Sequence, residues 1–301
     1  METDGMRFLK RGVLPIAITV ILLAVLLSVP GASSLNIARS NASSNTNQSY
    51  AFNANLSVSV AFSFGTLQKN NIDITANASG EVDQSNGSAE ANVSLGGIPK
   101  FGTNKMSTIS AQLVLVGSTI YVKSDLLDNG QWKSQDISSI IKRLNAPVAT
   151  EFNPETLLST LSSLGTVTRG SSSIYFGVEV TSYTVNLDLK KFLEKVSASG
   201  AIPCMPDLTV PVNLLVDGNG YVRHLGVSYD LTNLIPKKIS AYLKVSAELN
   251  LSVDFSNFGA PVSIVAPSAT PLGGISLGKN HFFLHKQRSM APFVGAGNCG
   301  S

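Results

Sequence analysis

From Ser57 to Phe64 the chain reads SVSVAFSF, an unbroken alternation that puts Val58, Val60, Phe62 and Phe64 on one side and small residues on the other. A period of two is the signature of a half-buried strand. NIDITANASGEVD and SAEANVSL continue the pattern more weakly, and STISAQLVLVGSTIYVK predicts two strands about a Gly117–Ser118 turn. These connections are too short for helical crossovers, so the pairing is antiparallel.

The period then changes. DISSIIKRL carries Ile137, Ile140, Ile141 and Leu144 at helical spacing behind an Asp136 cap. NPETLLSTLSSLG predicts a second helix, with Asn153 as cap, Pro154 in the first turn, a stripe of Leu157, Leu158, Leu161 and Leu164, and Gly165 as terminator. Strands resume in TVTRG and SSSIYFGVEVTSYTVNLDL. A third helix, LKKFLEKVSASG, places Phe192, Leu193 and Val196 on one side. ISAYLKVSAELNLSVDFSNF predicts a long late strand and Val262 to Val265 a short last one. Strands in sequence with three interposed short helices predict an α+β domain, a broad antiparallel sheet with helices on one face.

Between two of the strands, VNLLVDGNGYVRHLGVSYD contains Asp-Gly-Asn-Gly, which invites a calcium reading. The ligand count excludes it. Counted from Asp217, the twelfth position of an EF-hand loop would be Ser228 rather than a bidentate Glu, and Val222 and Leu225 stand where oxygen donors belong. Gly218, Asn219 and Gly220 between β-rich flanks predict a hairpin turn instead.

At the N-terminus, Lys10 and Arg11 precede an uncharged apolar run from Val13 to Val29, followed by Pro30-Gly31-Ala32-Ser33-Ser34. Residues 1–34 therefore read as an export signal or, if uncut, as a membrane anchor with its basic residues on the cytoplasmic side; both place the remainder outside. Residues 35–49 are rich in Ser and Asn without periodicity and read as a tether. Residues 50–268 form the domain, and residues 269–301, rich in Gly and Pro, a disordered tail. There His281, Phe282, Phe283, Leu284, His285, Lys286 and Arg288 read as solvated residues, a contact with a membrane surface or a partner being the alternative.

Composition narrows the chemistry. The chain of 301 residues is 44% hydrophobic but only 14% charged, well under the usual quarter, with uncharged polar residues in the gap. A net charge of +3 with no basic stripe argues against nucleic acid. Cys204 and Cys299 form no zinc spacing and read as a disulfide or two unrelated thiols; neither follows the apolar run, so a bacterial lipid-anchoring cysteine is absent. Asn-x-Ser sequons begin at Asn41, Asn47, Asn55, Asn77, Asn86, Asn92 and Asn250, candidates for N-glycosylation.

Catalysis finds little support. GISLG resembles a nucleophile elbow around Ser276, but no Asp or Glu follows Asp254 to complete a triad in that order. The histidines His224, His281 and His285 lack the zinc-site glutamate, and no Gly-rich loop opens a helix. No cofactor and no metal are implied.

Several stretches, in order, resemble the LppX/LprG-like lipoproteins of mycobacteria and actinobacteria, whose fold is similar to the LolA/LolB carriers. LVGSTIYVKSDLLDNGQWKSQDIS has Gly117, Tyr121, Val122 and Trp132 where the group has a Gly-x-x-Tyr-Val strand and a later Trp. FNPETLLSTLSSLGTVTRG and YTVNLDLKKFL are similar to its helix-to-strand step and its Tyr-x-Val-x-Leu-Asp strand end. LLVDGNGYVRHLGVSYD and VDFSNFGAPVSIVAPSA are like its Val-Asp-x-x-Gly-x-Val-Arg-x-Leu hairpin and Asp-Phe-x-x-Phe-Gly-x-Pro-Val ending. The likeness spans roughly residues 50–268 and lacks the group's anchoring cysteine.

The resemblance implies a curved half-barrel sheet with about three short helices on its concave face, enclosing an apolar cavity for the acyl chains of a lipid or glycolipid. The protein would be a non-catalytic, membrane-associated carrier. Val58, Val60, Phe62, Phe64, Ile140, Leu157, Leu161 and Phe192 are the candidate lining. The competing expectation is a surface-anchored structural or interaction module with a filled core and no ligand.

Overall fold

A computed structural model describes residues 49–64, 67–99, 106–124, 130–138, 157–196, 208–232 and 244–271. Six strands come first: β1 (Ser49–Phe64), β2 (Leu67–Asp83), β3 (Ser88–Pro99), β4 (Met106–Val116), β5 (Thr119–Ser124) and β6 (Lys133–Asp136). Helix α1 (Leu157–Ser162) leads into β7 (Gly165–Tyr175) and β8 (Val178–Asp188). Helix α2 (Leu189–Val196) precedes β9 (Thr209–Asp217), β10 (Val222–Asp230), β11 (Lys244–Ser256) and the short β12 (Thr270–Pro271).

All twelve strands join one open sheet in the order β12-β6-β5-β4-β3-β2-β1-β11-β10-β9-β8-β7. Every neighbouring pair is antiparallel except β12 with β6. The chain thus makes two meanders, β1–β6 and β7–β11, joined where β11 lies against β1.

Register separates the two faces. One row across eight strands reads Tyr183, Leu214, Leu225, Val253, Ala54, Ala78, Val93, Ala111. The adjacent row reads Thr184, Asn213, Gly226, Ser252, Asn55, Asn77, Ser94, Ser110. The row after that is apolar again, from Val185 through Val212, Val227, Leu251, Leu56, Ala76 and Leu95 to Ile109. Because successive side chains point to opposite faces, one face is hydrocarbon and the other polar, amide and hydroxyl along its middle rows with charged residues such as Glu81, Glu248 and Asp254 toward the strand ends.

Helix α1 lays Leu157 and Leu161 onto the apolar face, and Leu164 follows just beyond its end. They are buried there with Tyr50, Phe52, Val82, Leu115, Val185 and Leu214. Asp188 caps α2: its Oδ1 accepts the Lys191 amide at 3.1 Å. Gly165, read above as a helix terminator, is the first residue of β7, where a β-carbon would meet the Asn186 carbonyl oxygen at 2.2 Å. Gly97 combines φ +76° with a Cβ site 1.8 Å from the Asp73 carbonyl oxygen, at an irregularity between β3 and β4. Gly97→Ala is expected to lower stability by about 2 kcal/mol, read as a shift in the urea midpoint.

Two helices, rather than three, stand among the described residues. The helix expected behind Asp136 falls on residues outside them, apart from Ser138 at its start. The strand expected at Val262 to Val265 does not form: residues 257–269 have no regular structure. Pro261 and Pro267 bracket that stretch and cannot donate to a ladder. The chain instead rejoins the sheet at Thr270–Pro271, inside the stretch read as tail, where Thr270 pairs with Lys133 and donates its amide to the Trp132 carbonyl at 3.2 Å. TVTRG and SSSIY, read as separate, are one strand with a register shift between Arg169 and Ser172.

Candidate functional site

The apolar face divides into two parts. Toward the ends where β1 begins and β11 finishes it is sealed: Tyr50, Phe52, Val82, Ala89 and Phe255 are buried in the core cluster with α1. Toward the ends where β1 finishes and β11 begins, the same face continues with Val60, Phe62, Ile72, Val245 and Leu249 only half-buried. Leu95, Ile109 and Val227 extend this half-buried zone to either side. Hydrocarbon that is neither packed away nor fully solvated is what an apolar guest would cover.

The candidate lining residues fall on both parts. Leu157 and Leu161 are buried in the core and Phe192 packs against it. Val58 is buried at the transition, while Val60 and Phe62 project into the half-buried zone. Phe64 closes β1, and only its backbone is described; Ile140 lies outside the described residues. The register therefore brings Val58, Val60 and Phe62 together, and sets them apart from the α1 leucines.

The polar face carries two open troughs. One, of about 490 Å3, is lined by residues including Asn53, Asn77, Asn92, Ser110, Gln112 and Lys123. The other, of about 540 Å3, includes Asn55, Ser57, Thr75, Asn213, Asn250 and Ser252. Amide and hydroxyl groups rim both troughs, and both stand open to solvent. Of the sequons, Asn55, Asn77, Asn92 and Asn250 lie on this face, Asn55 directly opposite Asn77. Asn86 sits in the β2–β3 turn, its amide nitrogen donating to Asp83 Oδ2 at 2.6 Å. Asn41 and Asn47 are outside the described residues, as are Cys204, Cys299, Ser276, His281 and His285.

Two charged clusters hold the sheet end. The Asp217 carboxylate, predicted above to sit in a turn, organises that turn. Its Oδ1 accepts the amides of Asn219 at 2.9 Å and Tyr221 at 3.0 Å. Its Oδ2 accepts Arg223 Nε at 2.7 Å and Nη2 at 2.6 Å. Arg223 lies 4.5 Å above the Phe258 ring, which stacks on Tyr221.

On the polar face, Tyr175 donates its hydroxyl to Asp254 Oδ1 at 2.6 Å, and His224 Nδ1 is 2.6 Å from the same oxygen. Burial, and then the Asp254 carboxylate beside it, push the Tyr175 phenol up to about 12. Because the folded value is raised, any stabilisation is intact below about pH 10 and is lost as pH rises through about 12. In an alkaline absorbance titration, Tyr175→Phe should remove a phenol ionising near pH 12 and leave the rest of the curve unchanged. His224, which the sequence excluded as a zinc ligand, stands on β10 and pairs with Asp254. Sequence reading missed Tyr175, because the Phe176–Gly177 turn was read as continuous strand; the Phe-Gly pair was the available signal.

Among the described residues no group of three or more His, Cys, Asp and Glu side chains could hold a metal ion. Nor is any described helix long and apolar enough to cross a membrane.

No protein-family model matches the chain, and no curated protein matches it. Among solved structures it is similar to the lipoprotein LppX of Mycobacterium tuberculosis, at 13% identity and a TM-score of 0.36, over 70% of this chain and 89% of that one. It is similar to LprF of Mycobacterium bovis at 14% identity and a TM-score of 0.38, over 71% and 90% of the two chains. A LolA superfamily protein of Nitrosomonas europaea aligns at 6% identity and a TM-score of 0.18, over 71% and 88%.

Proposed function

We propose that the protein is an exported, membrane-associated carrier that binds the acyl chains of a lipid or glycolipid on the apolar face of its sheet, without catalysis. The domain would be residues 50–268, held outside the membrane by residues 1–34, or released once they are cut, on the tether of residues 35–49. The observation that supports this reading is the half-buried zone around Val60, Phe62, Ile72 and Leu249, hydrocarbon continuous with the core but not closed by it. Each methylene moved onto such a surface contributes roughly 0.8 kcal/mol, so a fifteen-carbon chain gains on the order of 10 kcal/mol before ordering costs. Such binding needs no reactive group.

The test is native mass spectrometry of the full-length protein expressed in a membrane-containing host. Adducts of lipid mass that survive desalting are expected, together with uptake of a fluorescent fatty acid after delipidation. A protein that carries no adduct and takes up no probe would be the filled-core module instead.

The polar face is the natural place for modification, being opposite the proposed lipid surface. We expect Asn92 to be glycosylated more fully than Asn86, whose amide is engaged by Asp83, and at most one of the facing Asn55 and Asn77 to be occupied per molecule. Intact-glycopeptide mass spectrometry from a glycosylating host reads both ratios.

A further inference from the structure

The β7–β8 ribbon ends in a turn whose two central residues, Phe176 and Gly177, have φ of 48° and 78°. Positive φ at both positions is the type I′ hairpin turn, where Asn, Asp or Gly is preferred first because a β-carbon is crowded there. Phe176 occupies that first position with its side chain 84% exposed, and Ile174 is 70% exposed. An aromatic residue that suits neither the turn nor the core marks a place where local preference has yielded to use. Tyr175 between them is pinned: it donates to Asp254, and its ring packs 4.5 Å from that of Phe176.

The register identifies the partner. Asn53 pairs with Asp254, Asp254 with His224, His224 with Leu215, and Leu215 with Ser182. Ser182 is therefore level with Asn53. Four residues before Asn53 is Ser49, where β1 starts; four before Ser182 is Val178, which pairs with Tyr175 across the turn. The exposed tip thus stands at the sheet end at which the chain arrives from the apolar run Val13–Val29. From Gly170 to Val178 the ribbon carries no charge, and Glu179, paired with Ile174, limits entry to the headgroup layer, where its carboxylate keeps its water.

We propose that Ile174 and Phe176 are a membrane-contacting tip, inserted at the surface of the bilayer in which the N-terminal run resides, so that this end of the sheet faces the lipid. The proposal rests on the membrane reading of residues 1–34 given above. It does not need the apolar face to hold a ligand.

The test places the full-length chain in phosphatidylcholine vesicles with brominated acyl chains. Trp132 is the single native tryptophan, so Phe176→Trp is made in a Trp132→Phe background. Fluorescence at 176 should be quenched by at least half, while Val167→Trp, nearer the base of the same ribbon, should lose less than a tenth. Absence of quenching at 176, or equal quenching at both, overturns the proposal. If Trp132→Phe does not fold, the difference between Phe176→Trp and the parent, both keeping Trp132, gives the same readout. Phe176→Asn should raise the unfolding midpoint by about 3 °C, since Asn suits the turn; a lowered midpoint would make the ring part of the fold and overturn the proposal. Loss of co-isolated lipid with quenching intact would remove the carrier function alone, and the reverse result would remove the tip alone.

Discussion

Replacing Asp217 with alanine is expected to lower the unfolding free energy by about 3–5 kcal/mol, a large fraction of the stability of an ordinary domain. The carboxylate is buried, and four donors from three residues converge on it: the amides of Asn219 and Tyr221, and two nitrogens of Arg223. Alanine leaves a guanidinium beneath the Phe258 ring with no counter-charge, and strips two turn amides of their acceptor. Asp217→Asn should cost less, because its carbonyl oxygen can still take the amides. Combining Asp217→Ala with Arg223→Met should recover part of the loss, since the unpaired charge goes with it. Urea unfolding of the three variants reads the order directly. A loss below about 1 kcal/mol for Asp217→Ala would mean that water replaces the carboxylate, and that the cluster is peripheral to stability.

The second large effect is on lipid. Val60→Asp should reduce co-isolated lipid at least tenfold while changing the unfolding free energy by less than about 1 kcal/mol. Val60 is half-buried on β1, facing Ile72 and Ala247 across the pairs to β2 and β11. A carboxylate there keeps access to water in the empty protein, so the fold tolerates it. An acyl chain laid over it must strip that water, at a cost of several kcal/mol. Leu161→Trp, the obvious probe from the helical stripe, is a poorer one. Leu161 is 3% exposed within the core cluster, so a larger ring would overpack by roughly 1–3 kcal/mol and confound binding with folding. Native mass spectra of both variants separate the two effects; lipid retained at full occupancy by Val60→Asp would move the ligand off this face.

What could be read from the sequence divides along a physical line. Strict alternation in SVSVAFSF gave the strand, its face and its partner face, because a period of two leaves no freedom once one side is apolar. The Asp217 turn and the leucine stripe of α1 were equally legible, since each is decided by residues close in sequence. What is long-range was not. Nothing in TVTRGSSSIYFGVEV announces that Tyr175 will meet Asp254, because the meeting depends on the registers of four successive pairings, from β7 across to β11. The turn at Phe176 was hidden for the opposite reason: a residue stood there that the turn itself disfavours. Val262 to Val265 has strand composition, but a strand also needs a free edge, and the flanking prolines leave the chain unpaired until β6 accepts Thr270–Pro271. As for the site, the apolar face was predictable and its division was not. Val60 and Leu161 have similar hydropathy, and only packing distinguishes a sealed leucine from a half-covered valine.

The strand order has a consequence for the birth of the molecule. β1, the earliest strand to emerge, ends up in the interior of the sheet, and one of its two hydrogen-bonding edges waits for β11; Ser63 meets Lys244. If the chain is exported N-terminus first, as proposed, it crosses with that ladder half unzipped, its valines and phenylalanines open to any passing strand. Zipping the β1–β11 seam is therefore the step at which secretion and misassociation compete, and yield on export should respond to changes along that seam more sharply than the equilibrium stability does.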